Sequence, residues 1–234
     1  GKICTTYYRK KDRKMTNQDI EIGRRLMLIT HRTGRYTEYD EAEMFLQGGG
    51  RWVQLRMKQG LDPVMADRIA ALCRTYGAVF CIDDDVSLAL SCSASAVHLG
   101  KNDMPVGQAK ERADAAHVGA FMIGATANSF EDIREAAHQG ASYIGLGPFR
   151  FTQTKQKLSP VLGVEGYKHI LMQCATEGIG LPVYAIGGIT EKDVPALMAT
   201  GIAGIAVSGA IVQSDDPIGK TRMFLDSIAS SLPE

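Results

Sequence analysis

The chain has 234 residues, of which 45% are hydrophobic and 22% charged, a composition that is ordinary for a globular protein and sufficient for a sizeable core. Lys and Arg together number 26, as do Asp and Glu, which excludes an overall field that would attract nucleic acid or an anionic membrane, and no apolar run has the length of a membrane-spanning helix. Five cysteines without a C-x-x-C spacing argue against a zinc site and favour buried or reduced thiols in a cytoplasmic protein.

Residues 1–25 carry a basic cluster formed by Arg9, Lys10, Lys11, Arg13 and Lys14. Such a cluster is typical of a solvated tail, so we expect a poorly ordered N-terminal extension; contact with an anionic partner is the alternative. The segment has no hydrophobic core followed by a small-residue cleavage site, and we therefore expect no secretory signal.

From residue 26 onward, short apolar runs alternate with amphipathic segments. The runs lie at 26–30, 52–55, 79–82, 96–99, 121–124, 143–147, 183–186 and 204–208, and the predicted helices at 41–47, 65–76, 130–138, 164–174, 194–199 and 218–230. The runs recur about every 25 residues, the length of one strand-helix unit. Near-continuous apolar strands indicate a parallel sheet that is covered on both faces. The pattern predicts an α/β fold, a single-domain (β/α)₈ TIM barrel over residues 26–234, with an open doubly wound sheet as the alternative.

Polar residues follow the second predicted strand at alternate positions, Gln54, Arg56 and Lys58. In an extended chain these side chains share one face, and active sites of such barrels lie at the carboxyl ends of the strands. Three hydrogen-bond donors, two of them charged, favour an anion-binding site, although a charge pair at the surface edge is the alternative.

Carboxylates follow the next two strands, as Asp83, Asp84 and Asp85 after the third and Asp103 after the fourth. Hard oxygen ligands from neighbouring strand ends suit Mg²⁺ that is held jointly with a substrate phosphate. Helix N-capping is the alternative, above all for Asp85. His98 lies within an apolar run, so we expect a hydrogen-bonded wall residue rather than a base.

The later strand ends carry hydroxyl groups, glycines and one lysine. Thr126 follows the fifth predicted strand, and a polar loop with Thr152, Thr154 and Lys155 follows the sixth. Gly187 and Gly188 end the seventh strand, and Ser208 and Gly209 the eighth. Small residues after strands seven and eight are the usual place of a phosphate site in such barrels. The residues thus predict two anion-binding regions, which would suit two phosphorylated substrates, one of them metal-bound.

Several motifs in one order resemble the thiamine phosphate synthase family over residues 26–230. They are VQLRMK, the aspartates before VSLAL, AVHLGKNDMP, IGAT, YIGLGPF, FTQTK, AIGGIT and AVSGAI. The resemblance implies an enzyme that joins hydroxymethylpyrimidine diphosphate to hydroxyethylthiazole phosphate and releases pyrophosphate. It also implies a Mg²⁺-assisted dissociative mechanism, in which diphosphate leaves before the thiazole nitrogen attacks the pyrimidine cation.

The resemblance assigns a role to each candidate residue. Gln54, Arg56, Lys58, Asp83, Thr126 and Lys155 would contact the pyrimidine diphosphate, and Arg56, Lys58 and Lys155 would be catalytic because they surround the leaving charge. Thr152, Thr154, Gly188, Ser208 and Gly209 would bind the thiazole phosphate, and Asp84 and Asp103 would bind Mg²⁺.

The chain departs from the family pattern at three positions. Asp83 stands where the family usually has Asn, Thr126 where it has Ser, and Met57 where it often has Glu. Asp83 replaces an amide with an acceptor-only carboxylate, which would either add a metal ligand or repel the diphosphate. Two alternatives remain, a thiazole tautomerase-like enzyme and a non-catalytic phosphate-ligand sensor. The retained diphosphate-binding residues favour the synthase over the tautomerase.

Overall fold

The computed structural model describes residues 15–151 and 160–233, which form a closed barrel of parallel strands. The strands are β1 Leu26–Ile29, β2 Trp52–Leu55, β3 Val79–Asp83, β4 Ala96–Leu99, β5 Met122–Ala127, β6 Tyr143–Leu146, β7 Val183–Ile186 and β8 Gly204–Val207. Each strand pairs with its neighbour in the sequence, and β8 returns to β1 with Leu26 opposite Ile205. The predicted TIM barrel is confirmed, and the open sheet is excluded.

Helices cover the outside of the barrel. They are α1 Asn17–Gly23, α2 Glu38–Gln47, α3 Pro63–Thr75, α4 Val86–Ser91, α5 Val106–Ala115, α6 Phe130–His138, α7 Gly163–Thr176, α8 Val194–Met198, α9 Gly209–Val212 and α10 Pro217–Ser230. In the segment that we predicted to be an extension, residues 1–14 lie outside the described part, whereas Thr16 caps α1. Within the described ranges, the helices all lack the combination of length and apolar character that membrane crossing requires.

The strands bury side chains on both faces, which explains their continuous apolar sequences. In β2, Val53 and Leu55 belong to the outer core between sheet and helices, whereas Trp52 belongs to the cluster inside the barrel. Successive side chains of a strand point to opposite faces, so every second residue contributes to the barrel interior.

Aromatic rings fill the centre of the barrel. The ring centroids of Trp52 and Tyr143 lie 5.1 Å apart, and those of Tyr143 and Tyr184 lie 5.8 Å apart. Gly124 makes room for this packing, because a Cβ atom at that position would overlap the Tyr143 ring. The interior below the strand ends is therefore a packed core rather than a pore.

Candidate active site

On β2, β3, β4 and β5, the inward-facing residues nearest the carboxyl ends are polar. Gln54 lies two residues beyond Trp52 and is buried, as is His98 within β4. Asp83 ends β3, and Thr126 lies near the end of β5. The alternation that places apolar side chains in the barrel centre thus places these polar side chains at its rim.

Asp83 contacts Gln54 through a hydrogen bond and Arg56 through an ion pair. The Nε2 atom of Gln54 donates to Oδ1 of Asp83 at 2.6 Å, and Nε of Arg56 lies 3.5 Å from Oδ2 of Asp83. The predicted proximity of these three residues is therefore confirmed. The Asp83 carboxylate orients two donors that we expected to serve an anion, an arrangement that the sequence alone did not indicate.

Thr30, at the end of β1, fixes the backbone of Arg56. Its hydroxyl accepts from the Arg56 N–H at 2.9 Å and donates to the Arg56 carbonyl at 3.1 Å. Thr30 is fully buried, so this double contact is shielded from water. Sequence reasoning missed Thr30, because a threonine at a strand end shows no sign of the neighbouring strand that it will contact.

Asp84 and Asp103 lie near each other, as predicted, and the carboxylate of Asp103 contributes to the raised pKa of Asp84. Asp84 has a φ of 69°, and its N–H donates to the carbonyl of His98 at 2.8 Å. Partial burial of the carboxyl group, followed by the charges of Asp83 and Asp103, raises the pKa of Asp84 to about 7 although the residue is exposed overall. A divalent cation bound beside these carboxylates would reduce the repulsion between their negative charges.

Asp85 has the helix-capping role that was the alternative to a metal site. Its side chain accepts from the N–H of Leu88 at 2.6 Å at the start of α4. Adjacent carboxylates thus differ in function, since Asp84 faces Asp103 whereas Asp85 stabilises a helix end.

Glu41 is a second carboxyl group with a raised pKa, and it is buried under the loop that follows β1. Its Oε2 atom accepts from the backbone N–H of His31 at 2.8 Å, and its Oε1 atom has no hydrogen-bond partner among the described residues. Burial raises the pKa of Glu41 to about 7. Burial and the charges of Lys58 and Arg56 lower the pKa of His31, so this loop lies beside the cations of the rim.

Replacing Glu41 with glutamine is expected to remove part of the pH dependence of stability. The folded-state pKa of about 7 lies above the ordinary value of 4.5, so ionisation of Glu41 destabilises the fold as pH rises between these values. The loss is on the order of 3 kcal/mol in the free energy of unfolding and should be nearly complete at pH 8. Glutamine keeps the acceptor for His31 and carries no charge. Urea unfolding at pH 5 and pH 8 measures both proteins, and an equal decline in the two would contradict this account.

His98 is a hydrogen-bonded wall residue, as predicted. Its Nε2 atom lies 3.0 Å from Oγ1 of Thr126, and its Nδ1 atom lies 3.3 Å from Oη of Tyr143. Thr126 also borders a cavity of about 260 Å³, which Gly100 and Asp103 help to line. The predicted diphosphate contact and one predicted metal ligand thus border the same cavity.

The ends of β6 and β7 are held together around the glycine pair. The guanidinium of Arg150 donates to the Gly188 carbonyl at 2.5 Å and forms two hydrogen bonds with the Asp193 carboxylate at 2.8 and 2.9 Å. Gly187 has a φ of 100°, and a Cβ atom there would lie 3.0 Å from Pro148. Gly187 therefore allows both a left-handed turn and the close approach of the two loops. Sequence reasoning missed Arg150, since its partners follow a different strand.

Of the remaining predicted residues, those that the structure describes also follow strand ends. Ser208 directly follows β8 and precedes α9, which begins at Gly209, and Lys58 is exposed beyond β2. Thr152, Thr154 and Lys155 lie outside the described residues. The flanking residues Phe151 and Pro160 follow β6, and the carboxyl ends of all strands of a parallel barrel share one rim.

Comparisons with known proteins agree on one family. The family model described as thiamine monophosphate synthase matches residues 26–211. The thiamine-phosphate synthase of Phocaeicola vulgatus is 50% identical over 204 residues, which cover 86% of this chain and 96% of that protein. The thiamine-phosphate synthase of Bacteroides thetaiotaomicron is 48% identical with the same coverage.

Solved structures give the same result for the fold and the family. A thiamine phosphate pyrophosphorylase from Pyrococcus furiosus superposes with a TM-score of 0.78 at 31% identity and covers 92% of this chain and 100% of its own. A 3-hexulose-6-phosphate synthase at 15% identity and a TM-score of 0.61 shares the fold alone. With this barrel, this order of motifs and relatives of such identity over most of its length, the chain belongs to the thiamine monophosphate synthase family.

Proposed function

We propose that this chain condenses hydroxymethylpyrimidine diphosphate with hydroxyethylthiazole phosphate to give thiamine phosphate and pyrophosphate. The observation that carries the proposal is that donors and carboxylates meet at one rim of the barrel. Arg56 is held by Asp83 beside the Asp84–Asp103 pair, which is the arrangement that a metal-bound diphosphate requires. Family membership supports the same reaction.

The leaving diphosphate would be bound by groups that are already oriented. Gln54 and Arg56 contact Asp83, and Thr30 fixes the backbone of Arg56. Because these donors need little reorganisation, they would stabilise the developing negative charge more than flexible side chains would. Lys58 and Lys155 would add positive charge to the diphosphate site.

Two carboxylates suit Mg²⁺ better than they suit a metal that needs a complete protein cage. Within the described ranges, His, Cys, Asp and Glu side chains form no group of three or more that would hold a metal ion. Mg²⁺ is commonly bound by one or two carboxylates together with substrate phosphates, so Asp84 and Asp103 fit this ion. When bound, Mg²⁺ would supply positive charge to the leaving diphosphate.

The bond changes require no covalent nucleophile. The bond between the pyrimidine methylene and the diphosphate oxygen breaks, and its electron pair leaves with the diphosphate. The aminopyrimidine stabilises the resulting cation, and the lone pair of the thiazole nitrogen then forms the new carbon–nitrogen bond. The second task of the protein would be to anchor the thiazole phosphate, through Thr152, Thr154, Gly188, Ser208 and Gly209, so that this nitrogen faces the cation.

The direct test is to incubate the purified protein with both substrates and Mg²⁺ and to measure thiamine phosphate and pyrophosphate. Equal amounts of the two products, lost when a chelator is added and restored by Mg²⁺, are expected. Isomerisation of a thiazole phosphate without the pyrimidine substrate would support the tautomerase instead. Tight binding of thiazole phosphate without pyrophosphate release would support the sensor.

Replacing Asp83 with asparagine is expected to preserve turnover within about threefold and to lower the KM for the pyrimidine diphosphate several-fold. The substitution removes a negative charge that lies 3.5 Å from Arg56, while Gln54 can turn its amide to keep a hydrogen bond. Steady-state kinetics with each substrate varied in turn measures the effect. A loss of turnover by orders of magnitude would mean that Asp83 itself contacts the metal.

We also propose that the reaction takes place in the cytoplasm. The free cysteines of the described part are buried, namely Cys73, Cys81, Cys92 and Cys174. Reduced, buried thiols are typical of cytoplasmic proteins.

A further inference from the structure

A line of hydrogen-bonding groups leads from the middle of the barrel to the rim. The Sγ atom of Cys81 lies 3.6 Å from Oη of Tyr143, which lies 3.3 Å from Nδ1 of His98. The Nε2 atom of His98 lies 3.0 Å from Oγ1 of Thr126. Tyr143 is 2% exposed, and its hydroxyl is linked to Thr126 through His98. The function proposed above uses Thr126 but gives Tyr143 no role.

The packing of the barrel fixes where the Tyr143 hydroxyl and the His98 ring lie. The Tyr143 ring packs edge-on against Trp52, over the space left by Gly124. The His98 ring lies against Gly145, where a Cβ atom would come within 2.9 Å of Cε1. Neither ring can move far without displacing its neighbours, so the hydrogen bonds between them have a fixed geometry.

The number of protons sets the direction of these hydrogen bonds. Burial raises the pKa of Tyr143 and that of Cys81, so both groups keep their protons. The single phenol proton can go either to the sulfur of Cys81 or to Nδ1 of His98. Because sulfur is a weak acceptor and an unprotonated imidazole nitrogen a good one, the phenol donates to His98.

The direction chosen at Tyr143 determines what Thr126 can offer to a ligand. If Nδ1 of a neutral His98 accepts from Tyr143, the ring proton is on Nε2 and is donated to Oγ1 of Thr126. The hydroxyl proton of Thr126 is then available to an acceptor in the cavity. In the other tautomer, Thr126 would donate its proton to Nε2 and could only accept from a ligand.

We propose that Tyr143 is a positioning residue that holds His98 in its Nε2–H tautomer and thereby makes Thr126 a hydrogen-bond donor to the pyrimidine diphosphate. The identity of this ligand rests on the proposed function. The tautomer of His98 does not, because it is a property of the protein alone.

The first test is nitrogen NMR of the protein labelled with ¹⁵N-histidine, without substrates. In the wild-type protein, His98 is expected to carry its proton on Nε2. In Tyr143→Phe, a measurable fraction of the molecules should carry the His98 proton on Nδ1 instead. Tyr184→Phe is the matched control, because it removes the same atom from the same aromatic cluster at a residue that is not part of the line to His98. A wild-type proton on Nδ1, or protons on both nitrogens, would overturn the proposal even if Tyr143→Phe does not fold.

The second test is kinetic. Tyr143→Phe is expected to lower kcat/KM for the pyrimidine diphosphate by about tenfold, which is the effect of losing one hydrogen bond. The loss would come from a higher KM or a lower kcat. The KM for the thiazole phosphate should stay unchanged. Adding Tyr143→Phe to Thr126→Val should cause no further loss, because both remove the same donor. Additive losses, or a Tyr143→Phe protein with wild-type kinetics and an unchanged His98 tautomer, would overturn the inference. A wild-type protein that forms no thiamine phosphate would refute the proposed function and leave the NMR result valid.

Discussion

Replacing Asp84 with asparagine is expected to lower kcat by about a hundredfold or more while making the metal-free protein more stable. Asparagine tolerates the φ of 69° at this position, whereas alanine would be strained there, so the substitution tests charge rather than backbone geometry. The charge of Asp84 is disfavoured by burial and by Asp83 and Asp103, which raise its pKa to about 7. Without a cation, removing the charge of Asp84 therefore relieves the repulsion from Asp83 and Asp103. With Mg²⁺ present, the same substitution removes a metal ligand.

The opposite signs of these two effects make the experiment specific. Thermal unfolding at pH 8 in a chelator should give a higher Tm for Asp84→Asn than for wild type, and added Mg²⁺ should reverse the order. Asp85→Asn is the control, because asparagine also caps helices well and Asp85 contacts the start of α4. Near-normal turnover of Asp84→Asn would remove Asp84 from the proposed metal site.

Replacing Arg56 with alanine is expected to reduce kcat/KM for the pyrimidine diphosphate by about a hundredfold to a thousandfold. The loss has two parts, because the guanidinium disappears and the Asp83 carboxylate, which lies 3.5 Å from it in the wild type, is left to repel the diphosphate. The double substitution with Asp83→Asn should therefore recover part of the loss.

A matched control for Arg56 lies in the loop after β1. Arg35 is exposed, and its side chain forms an exposed ion pair with Asp215 and lies over the Tyr36 ring, so Arg35→Ala removes the same charge at a position outside the proposed site. Steady-state kinetics with each substrate varied in turn compares the variants. An Arg56→Ala protein that loses no more activity than Arg35→Ala would contradict the proposed contact.

The strands could be predicted because burial on both faces leaves a continuous apolar signal. The prediction for β5 ended at residue 124, whereas the strand continues to Ala127, because Thr126 interrupts the apolar run although it pairs with Gly145. The extent of the short helix α4 was not predicted, although a helix start at Asp85 was the alternative to a metal site, because Val86–Ser91 is only 6 residues long.

The candidate site was predictable where a residue follows its own strand and unpredictable where it depends on a neighbour. The proximity of Asp84 and Asp103 follows from the order of the strands, since β3 and β4 pair directly. Two contacts depend on the register of neighbouring strands and on the direction of side chains. They are the contact of Thr30 with Arg56 and that of Arg150 with Gly188. Neither the register nor the side-chain direction is encoded in local sequence.

The rings of Trp52, Tyr143 and Tyr184 close the barrel beneath the rim. In the part of the chain that the structure describes, the centre of the barrel is packed, so we expect both substrates to enter and both products to leave at the rim formed by the carboxyl ends of the strands. A single point of access imposes an order of binding and release on each turnover. The substrate that binds deepest must bind first, and the product that lies deepest must leave last. Product inhibition patterns would reveal that order, with the deeper product competing against the substrate that binds first.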